Sequence, residues 1–278
     1  MKQIGIPEIR LNNGVMMPVL GLGTYKLRGN DCINSVKDAI NLGYTHIDTA
    51  EYYENFKEIG EAIKDIDRER LFITSKVWYD DLKYDSVISA CKKALSEMQI
   101  HYLDLFMIHW PNKNIDLKET LSAFKKLHDD GLFRTFGVSN FMVSHLKKVL
   151  EYCNEIDLPI CVNQVEFHPF LKQNEVLEFC NKNEIKVTAY SPIARGKVND
   201  NIIIRNIALK YNKSPMQISL RWLLDKGIIV IPKATSMEHL ISNMDVFDFK
   251  LENDEINKID SIKEVIRFAL PSFNEFNF

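Results

Sequence analysis

Asp48, Lys76 and His109 each stand at or near the carboxyl end of a short apolar run: THIDTA (45–50), LFITSKVW (71–78) and LDLFMIHW (103–110). A carboxylate, an ammonium and an imidazole on successive runs could hold and move a proton, because ionised groups in apolar surroundings demand partners. Later runs end in Ser139-Asn140, in Gln164 and Glu166, in Tyr190-Ser191 and in Lys233. The plainer account of the first three is an ion pair and a satisfied histidine that merely tie strands together. A second chemistry would be glycoside hydrolysis by Glu166 and Asp48 as paired carboxylates. The intervening Lys76 and the lack of a second strand-end Glu argue against it.

Positioning such groups requires a repeating scaffold, and the chain supplies one. Eight strand candidates follow one another at Val19–Thr24, 45–50, 71–78, 103–110, Phe133–Ser139, Ile160–Phe167, Ile185–Tyr190 and Ile228–Pro232. They are apolar throughout rather than alternating, as strands covered on both faces should be. Helical spacing separates them at Ile33–Leu42, Ile59–Lys64, Tyr84–Met98, Leu117–Asp129, Val143–Cys153 and Glu175–Asn181. A helix pair at Asn201–Tyr211 and Pro215–Asp225 precedes the last strand. Eight strand–helix units without a linker predict one closed (β/α)8 barrel, an α/β fold in a single domain over 1–278. Two short extended runs around Asn13-Gly14 predict an N-terminal β-hairpin capping the bottom of the barrel. Functional residues of such a barrel gather at the carboxyl ends of its strands, where the polar groups fall.

Composition narrows the classes further. The 278 residues are 46% apolar and 26% charged, with a net charge of -3, average values for a globular chain. Neither a basic block nor a strong net charge points to nucleic acid or an anionic membrane. Met1–Arg10 has no apolar signal core, and no stretch approaches the length of a membrane span, so a cytoplasmic protein is expected. The five cysteines contain no C-x-x-C and suit reduced, structural thiols. The histidines show no paired ligand spacing, and no metal is expected. Gly21-Leu-Gly23 lacks the third glycine of a dinucleotide fingerprint and suits close packing of a first barrel strand.

Seven strings then carry a resemblance: GYTHIDTAEYYEN (43–55), ITSKVW (73–78), IHWP (108–111), GVSNF (137–141), NQVEFHP (163–169), AYSP (189–192) and IPKAT (231–235). In their order and spacing, over nearly the whole chain, they resemble the aldo-keto reductase superfamily. The short loops are most similar to its bacterial and protist branch, with methylglyoxal and 2,5-diketo-D-gluconate reductases and prostaglandin F synthases. The resemblance implies NADPH-dependent reduction of aldehydes and ketones, with a small carbonyl compound as substrate and a monomer or weak dimer.

It also assigns roles. Asp48, Tyr53, Lys76 and His109 become a catalytic tetrad in which Tyr53 is the general acid, favoured over its neighbour Tyr52 by its spacing from Asp48. A nearby Lys76 ammonium should make the phenol a better acid, and His109 should orient the carbonyl oxygen. Tyr25, Trp78 and Trp110 join Tyr53 and His109 around the substrate. The cofactor would meet Gly23, Thr24, Tyr25 and Asp48, then Ser139, Asn140 and Gln164 at the carboxamide, with Tyr190 under the nicotinamide ring. Ser191, Pro192 and Ile193 would follow the pyrophosphate, and Lys233, Ala234, Thr235, His239 and Asn243 the adenosine end. His239 stands where relatives commonly carry Arg. That exchange removes a bidentate phosphate contact and predicts weaker discrimination against NADH. His46 and His168 are expected to be structural. The short loop 111–116 and a tail of about a dozen residues suggest an open pocket that takes a broad range of small carbonyls. The competing expectation under the same resemblance is a nicotinamide-binding sensor with slow turnover.

Overall fold

The computed structural model describes residues 5–276. Residues 1–4 and 277–278, which belong to the expected 1–278 domain and in part to the Met1–Arg10 segment, lie outside the described residues. The chain opens with an antiparallel hairpin, β1 (Glu8–Arg10) and β2 (Met16–Pro18). Asn12 and Asn13 at its turn donate to the carbonyls of Ile160 and Arg134, near the start of two barrel strands. Leu11 and Met17 pack with Phe72, Leu105, Met107, Val162 and Ile229. The hairpin therefore plugs the amino-terminal end of the barrel and supplies part of its inner core.

The barrel follows in strict alternation. In order come β3 (Gly21–Gly23), α1 (Gly29–Leu42), β4 (His46–Asp48), α2 (Phe56–Ile63), β5 (Phe72–Val77), α3 (Tyr84–Met98), β6 (Leu103–Ile108) and α4 (Leu117–Asp129). The second half adds β7 (Phe133–Ser139), α5 (Val143–Glu155), β8 (Ile160–Glu166), α6 (Asn174–Lys182), β9 (Lys186–Tyr190), α7 (Ile202–Tyr211), α8 (Pro215–Asp225), β10 (Ile229–Val230), α9 (Met237–Met244) and α10 (Asn253–Asp260). All eight strands from β3 to β10 pair in parallel in chain order. A parallel bridge between Leu20 and Val230 and the bond from Gly23 N–H to the Pro232 carbonyl bring last strand against first. The (β/α)8 barrel with its hairpin is thus the fold.

Differences from the sequence expectations are local. β3 and β10 are shorter than their apolar runs, because the flanking residues bond across the seam outside regular pairing. Helix α1 begins at Gly29, earlier than the apolar periodicity, since Gly29-Asn-Asp contributes no apolar stripe and Gly29 takes φ +50. The tail past Asp260 runs longer than a dozen residues and contains no helix or strand over 261–276. All five cysteines are buried, and burial pushes each thiol up to about 12, so none is a ready nucleophile.

His46 is fully buried, bonded to the Thr74 hydroxyl, and its ring fills the space a side chain at position 21 would need. Its role is packing, as expected. Among the described residues no group of three His, Cys, Asp or Glu could hold a metal, and no helix is long and apolar enough to cross a membrane.

Candidate active site

Asp48 ends β4 and Lys76 lies on the neighbouring β5, so their side chains enter the barrel side by side. Lys76 Nζ donates to Asp48 Oδ1 at 2.6 Å and to the Thr49 carbonyl at 2.9 Å, with the lysine wholly buried. The other Asp48 oxygen accepts from Gln164 Nε2 at 2.8 Å, across the barrel from β8. The pair is thus fully hydrogen-bonded, the condition for tolerating two buried charges. Burial works to lower the Lys76 pKa, and the Asp48 carboxylate opposes it.

Tyr53 sits in a short 3-10 turn, Glu51–Tyr53, directly after β4. Its hydroxyl lies 3.5 Å from Lys76 Nζ, and the ammonium stands 4.9 Å from its ring centre. Tyr52 instead turns outward, half-exposed, with its ring stacked on Trp78 at 3.9 Å. The geometry brings Tyr53, not Tyr52, to the lysine. Burial, then the charge of Asp48, raises the Tyr53 phenol well above its ordinary pKa, so it is protonated at neutral pH. The expectation of a phenol acidified by Lys76 is therefore not met in the resting site: loss of hydration outweighs the one nearby cation.

His109 follows β6 and meets Tyr53 edge-on, ring centres 5.6 Å apart, with Trp78 edge-on at 5.1 Å. Burial, and secondarily the Lys76 charge, lowers its pKa well below 6.5, so the imidazole is neutral. Nδ1 is buried with no partner. An unpaired buried N–H costs more than an unpaired lone pair, which favours the proton on Nε2.

Asp48, Tyr53, Trp78, His109 and Gln164 line a cavity of about 880 Å³ at the carboxyl ends of the strands. That is near the top of the range of about 300–1,000 Å³ for small-molecule sites. The same wall holds Gly23, Tyr25, Asn140, Gln164, Tyr190, Ser191–Ile193, Lys233–Thr235, His239 and Asn243. Strand exits at Asn140 (φ +63) and Ser191 (φ +50) turn through left-handed backbone, a conformation held where surrounding contacts over-determine it. Tyr190 donates its hydroxyl to Asn140 Oδ1 at 2.8 Å, and Asn140 Nδ2 donates to the His109 carbonyl. Lys233 is exposed and forms no ion pair among the described residues.

Three of the residues singled out in the sequence lie behind the wall: Lys76, held under Asp48 and Tyr53, and Thr24 and Ser139. The Thr24 hydroxyl donates to the Asp48 carbonyl and that of Ser139 to the Gln164 carbonyl. Others escaped sequence reasoning: Lys26, Arg195 and the tail residues Phe268, Leu270, Pro271 and Phe273. Arg195 lies within the left-handed run 194–196, directly after the expected pyrophosphate segment, a position that could have drawn notice. The tail carries no motif.

Glu166 is also resolved by the structure. It is wholly buried and pairs with His168 at 3.0 Å, outside the cavity wall, so it is not the partner of Asp48 in a carboxylate pair.

Comparison with known proteins agrees with this arrangement. The pattern of the Aldo/keto reductase family matches residues 19–264. The chain is 44% identical to a glyoxal reductase of Bacillus subtilis over 259 residues, 92% of each protein. It superimposes with a TM-score of 0.90 on an aldo-keto reductase enzyme from a Medee basin deep-sea metagenome library, at 38% identity over 95% of this chain and 97% of that one. A second structure, an aldo-keto reductase complexed with NADPH, gives a TM-score of 0.90 at 31% identity, covering 97% of this chain and 91% of that one. With its barrel and its Asp48–Lys76–Tyr53–His109 cluster, this chain belongs to the Aldo/keto reductase family and is an oxidoreductase.

Proposed function

We propose that this single-domain enzyme reduces small aldehydes and ketones to alcohols with NADPH, and that Tyr53 is the proton donor. The observation that carries the reading is the Tyr53 hydroxyl held 3.5 Å from a wholly buried lysine, beside a neutral His109. A bound reduced nicotinamide would supply the hydride, since no side chain can.

The fit of that group rests on the donor set. Asn140 and Gln164 set amides in the cavity wall, and Tyr190, bonded to Asn140, stands beside them. Lys233, exposed and forming no ion pair among the described residues, would offer a point charge to a 2′-phosphate. Ser191–Ile193 and the unanticipated Arg195 line the same cavity. His239 in place of a guanidinium leaves that phosphate with a single strong contact, so NADPH should be favoured over NADH by a modest factor.

The chain's own chemistry then follows. His109 Nε2–H donates to the carbonyl oxygen, fixing it near the Tyr53 hydroxyl and stabilising charge as it develops there. The oxygen takes the Tyr53 proton as the carbon accepts hydride. An alkoxide is a far stronger base than a phenolate, so transfer is downhill even from a phenol whose pKa burial has raised. The phenolate left behind faces the Lys76 ammonium, which Asp48 and the Thr49 carbonyl hold in place. Tyr25, Trp78 and Trp110 wall the substrate side. Turnover with a small aldehyde also separates this reading from a slow cofactor sensor. A soluble cytoplasmic setting suits a freely diffusing carbonyl substrate.

The test is absorbance of the reduced nicotinamide with methylglyoxal, using wild type and Tyr53→Phe. Rapid NADPH loss in wild type, reduced at least 100-fold in the variant, is expected. Tight NADPH binding without turnover in wild type would refute the reductase reading, and equal turnover in both proteins would refute the role of Tyr53.

A further inference from the structure

Glu166, the last residue of β8, has a carboxylate with no exposure to solvent and no part in the cavity wall. A buried carboxylate is prohibitively costly unless its oxygens are bonded. Here Oε1 receives the Phe268 N–H at 2.8 Å and His168 Nε2 at 3.0 Å, and Oε2 receives the Ala269 N–H at 2.9 Å. Burial works to raise its pKa, but the bonds from His168 and the two amides hold it below the ordinary value. The carboxylate thus bonds one side chain, His168, and two consecutive backbone groups of the tail.

Besides these bonds, the Phe268 ring lies 5.5 Å from that of His168 and 4.8 Å from the Arg195 guanidinium. The tail contains no regular element over 261–276, and before Phe268 it is tied by Lys172 to the Asp260 and Ile262 carbonyls and by Ile266 N–H to Phe170. Beyond Ala269 it crosses the mouth of the cavity. Phe273 meets Trp78 and Trp110 edge-on at 5.7 and 5.8 Å and stacks on Tyr79 at 4.1 Å. Its far end is held by Glu275, which accepts from Lys113 N–H and pairs with His145. The tail is therefore a strap fixed at both ends, with its aromatic middle forming one wall of the substrate space.

We propose that Glu166 is a positioning residue for substrate selection: by gripping Phe268 and Ala269 it seats Phe273 against Trp78 and Trp110, and so sets affinity for carbonyls carrying a bulky planar group. The inference rests on the reductase reading for its substrate side. Small carbonyls, which need only Tyr53 and His109, should be indifferent to the strap.

Glu166→Gln retains shape but can offer only one accepting oxygen, so one of the two N–H groups faces an NH2. The expected result is a KM for 4-nitrobenzaldehyde raised about tenfold, with kcat for both aldehydes and KM for methylglyoxal within about twofold of wild type. Phe273→Ala should raise the KM for 4-nitrobenzaldehyde at least as much, because the ring rather than the anchor touches substrate. Hydrogen exchange supplies a readout independent of turnover: the Phe268 and Ala269 amides should be protected together in wild type and exchange at least 100-fold faster in Glu166→Gln. Equal KM changes for the two aldehydes in Glu166→Gln, or an unchanged 4-nitrobenzaldehyde KM in Phe273→Ala, would overturn the proposal. So would unprotected amides in wild type, a result that stands even if Glu166→Gln fails to fold. Wild type that turns over neither aldehyde while protecting both amides would sink the reductase reading and leave the anchor standing.

Discussion

Replacing Asp48 with Asn should cost both stability and turnover, and the structure gives the size of the first. Lys76 is wholly buried, and its one anionic partner lies 2.6 Å away. Removing one member of a buried pair typically costs about 3–5 kcal/mol, because the other charge is left uncompensated. Two contacts soften the loss: the Thr49 carbonyl still accepts from Lys76, and an Asn oxygen can still accept from Gln164. The lower end, about 3 kcal/mol, is expected, a large part of a total stability of about 5–15 kcal/mol. At roughly 2–4 °C per kcal/mol, the melting temperature should fall by about 6–12 °C. The effect must also depend on pH with a defined sign. Burial already lowers the folded-state pKa of Lys76, and losing the carboxylate lowers it further. The unfolded chain then binds a proton that the folded variant does not, below an unfolded pKa of about 10.4. The deficit of the variant should therefore shrink between pH 7 and pH 9.5. Thermal unfolding followed by circular dichroism at both values reads this directly. A melting temperature within about 2 °C of wild type, or a deficit indifferent to pH, would show that the buried pair does not carry the charge assigned to it.

Acid should destabilise the wild-type protein before its carboxylates titrate. Burial first of all holds His46 down to about 4. The unfolded chain takes up that proton as pH falls below about 6.5 while the fold refuses it, so stability declines from there down to about pH 4. The His46 share of the loss should reach about 2 kcal/mol by pH 5 at about 1.4 kcal/mol per unit, and the buried His109 adds to it with the same sign; equal urea midpoints at pH 7 and 5 would contradict it. Gly23→Ala places a methyl 2.7 Å from the Ile231 carbonyl oxygen, backbone at the barrel seam that cannot swing aside. A loss of about 1–3 kcal/mol with weaker NADPH binding is expected, and calorimetry showing neither would refute the tight seam.

Much of the scaffold was legible because parallel strands covered on both faces must be apolar along their whole length. LFITSKVW and LDLFMIHW announce themselves, and the one Lys in the first is conspicuous for that reason. The polar groups of the tetrad were legible as chemistry for the same cause: an apolar strand has no structural use for them. Tyr53 needed the spacing from Asp48, since Tyr52 is identical in type, and only the 3-10 turn decides which ring faces Lys76. The tail was not legible. Its course depends on Phe268 and Ala269 N–H groups, which every residue but proline possesses, so no side chain there signals the contact with Glu166. The raised Tyr53 pKa was equally hidden, because neighbours can be read from spacing but the loss of hydration cannot.

The bond between Gln164 and Asp48 joins residues 116 positions apart, and its consequence lies in the order of synthesis. Everything that would handle the proton in the proposed reaction is made early, between positions 48 and 109. Apart from Gly23 to Tyr25 and Asp48, the groups that would cradle the hydride donor emerge later, and the seam from Gly23 to Pro232 closes later still. A nascent chain thus carries its most costly buried cation, Lys76, long before a barrel exists to enclose it. The wall around it is complete only once β10 pairs with β9 and meets Leu20, so full burial of that lysine is expected to await the end of the chain. Maturation of the catalytic centre is on this view a dehydration, triggered from the far end of the chain.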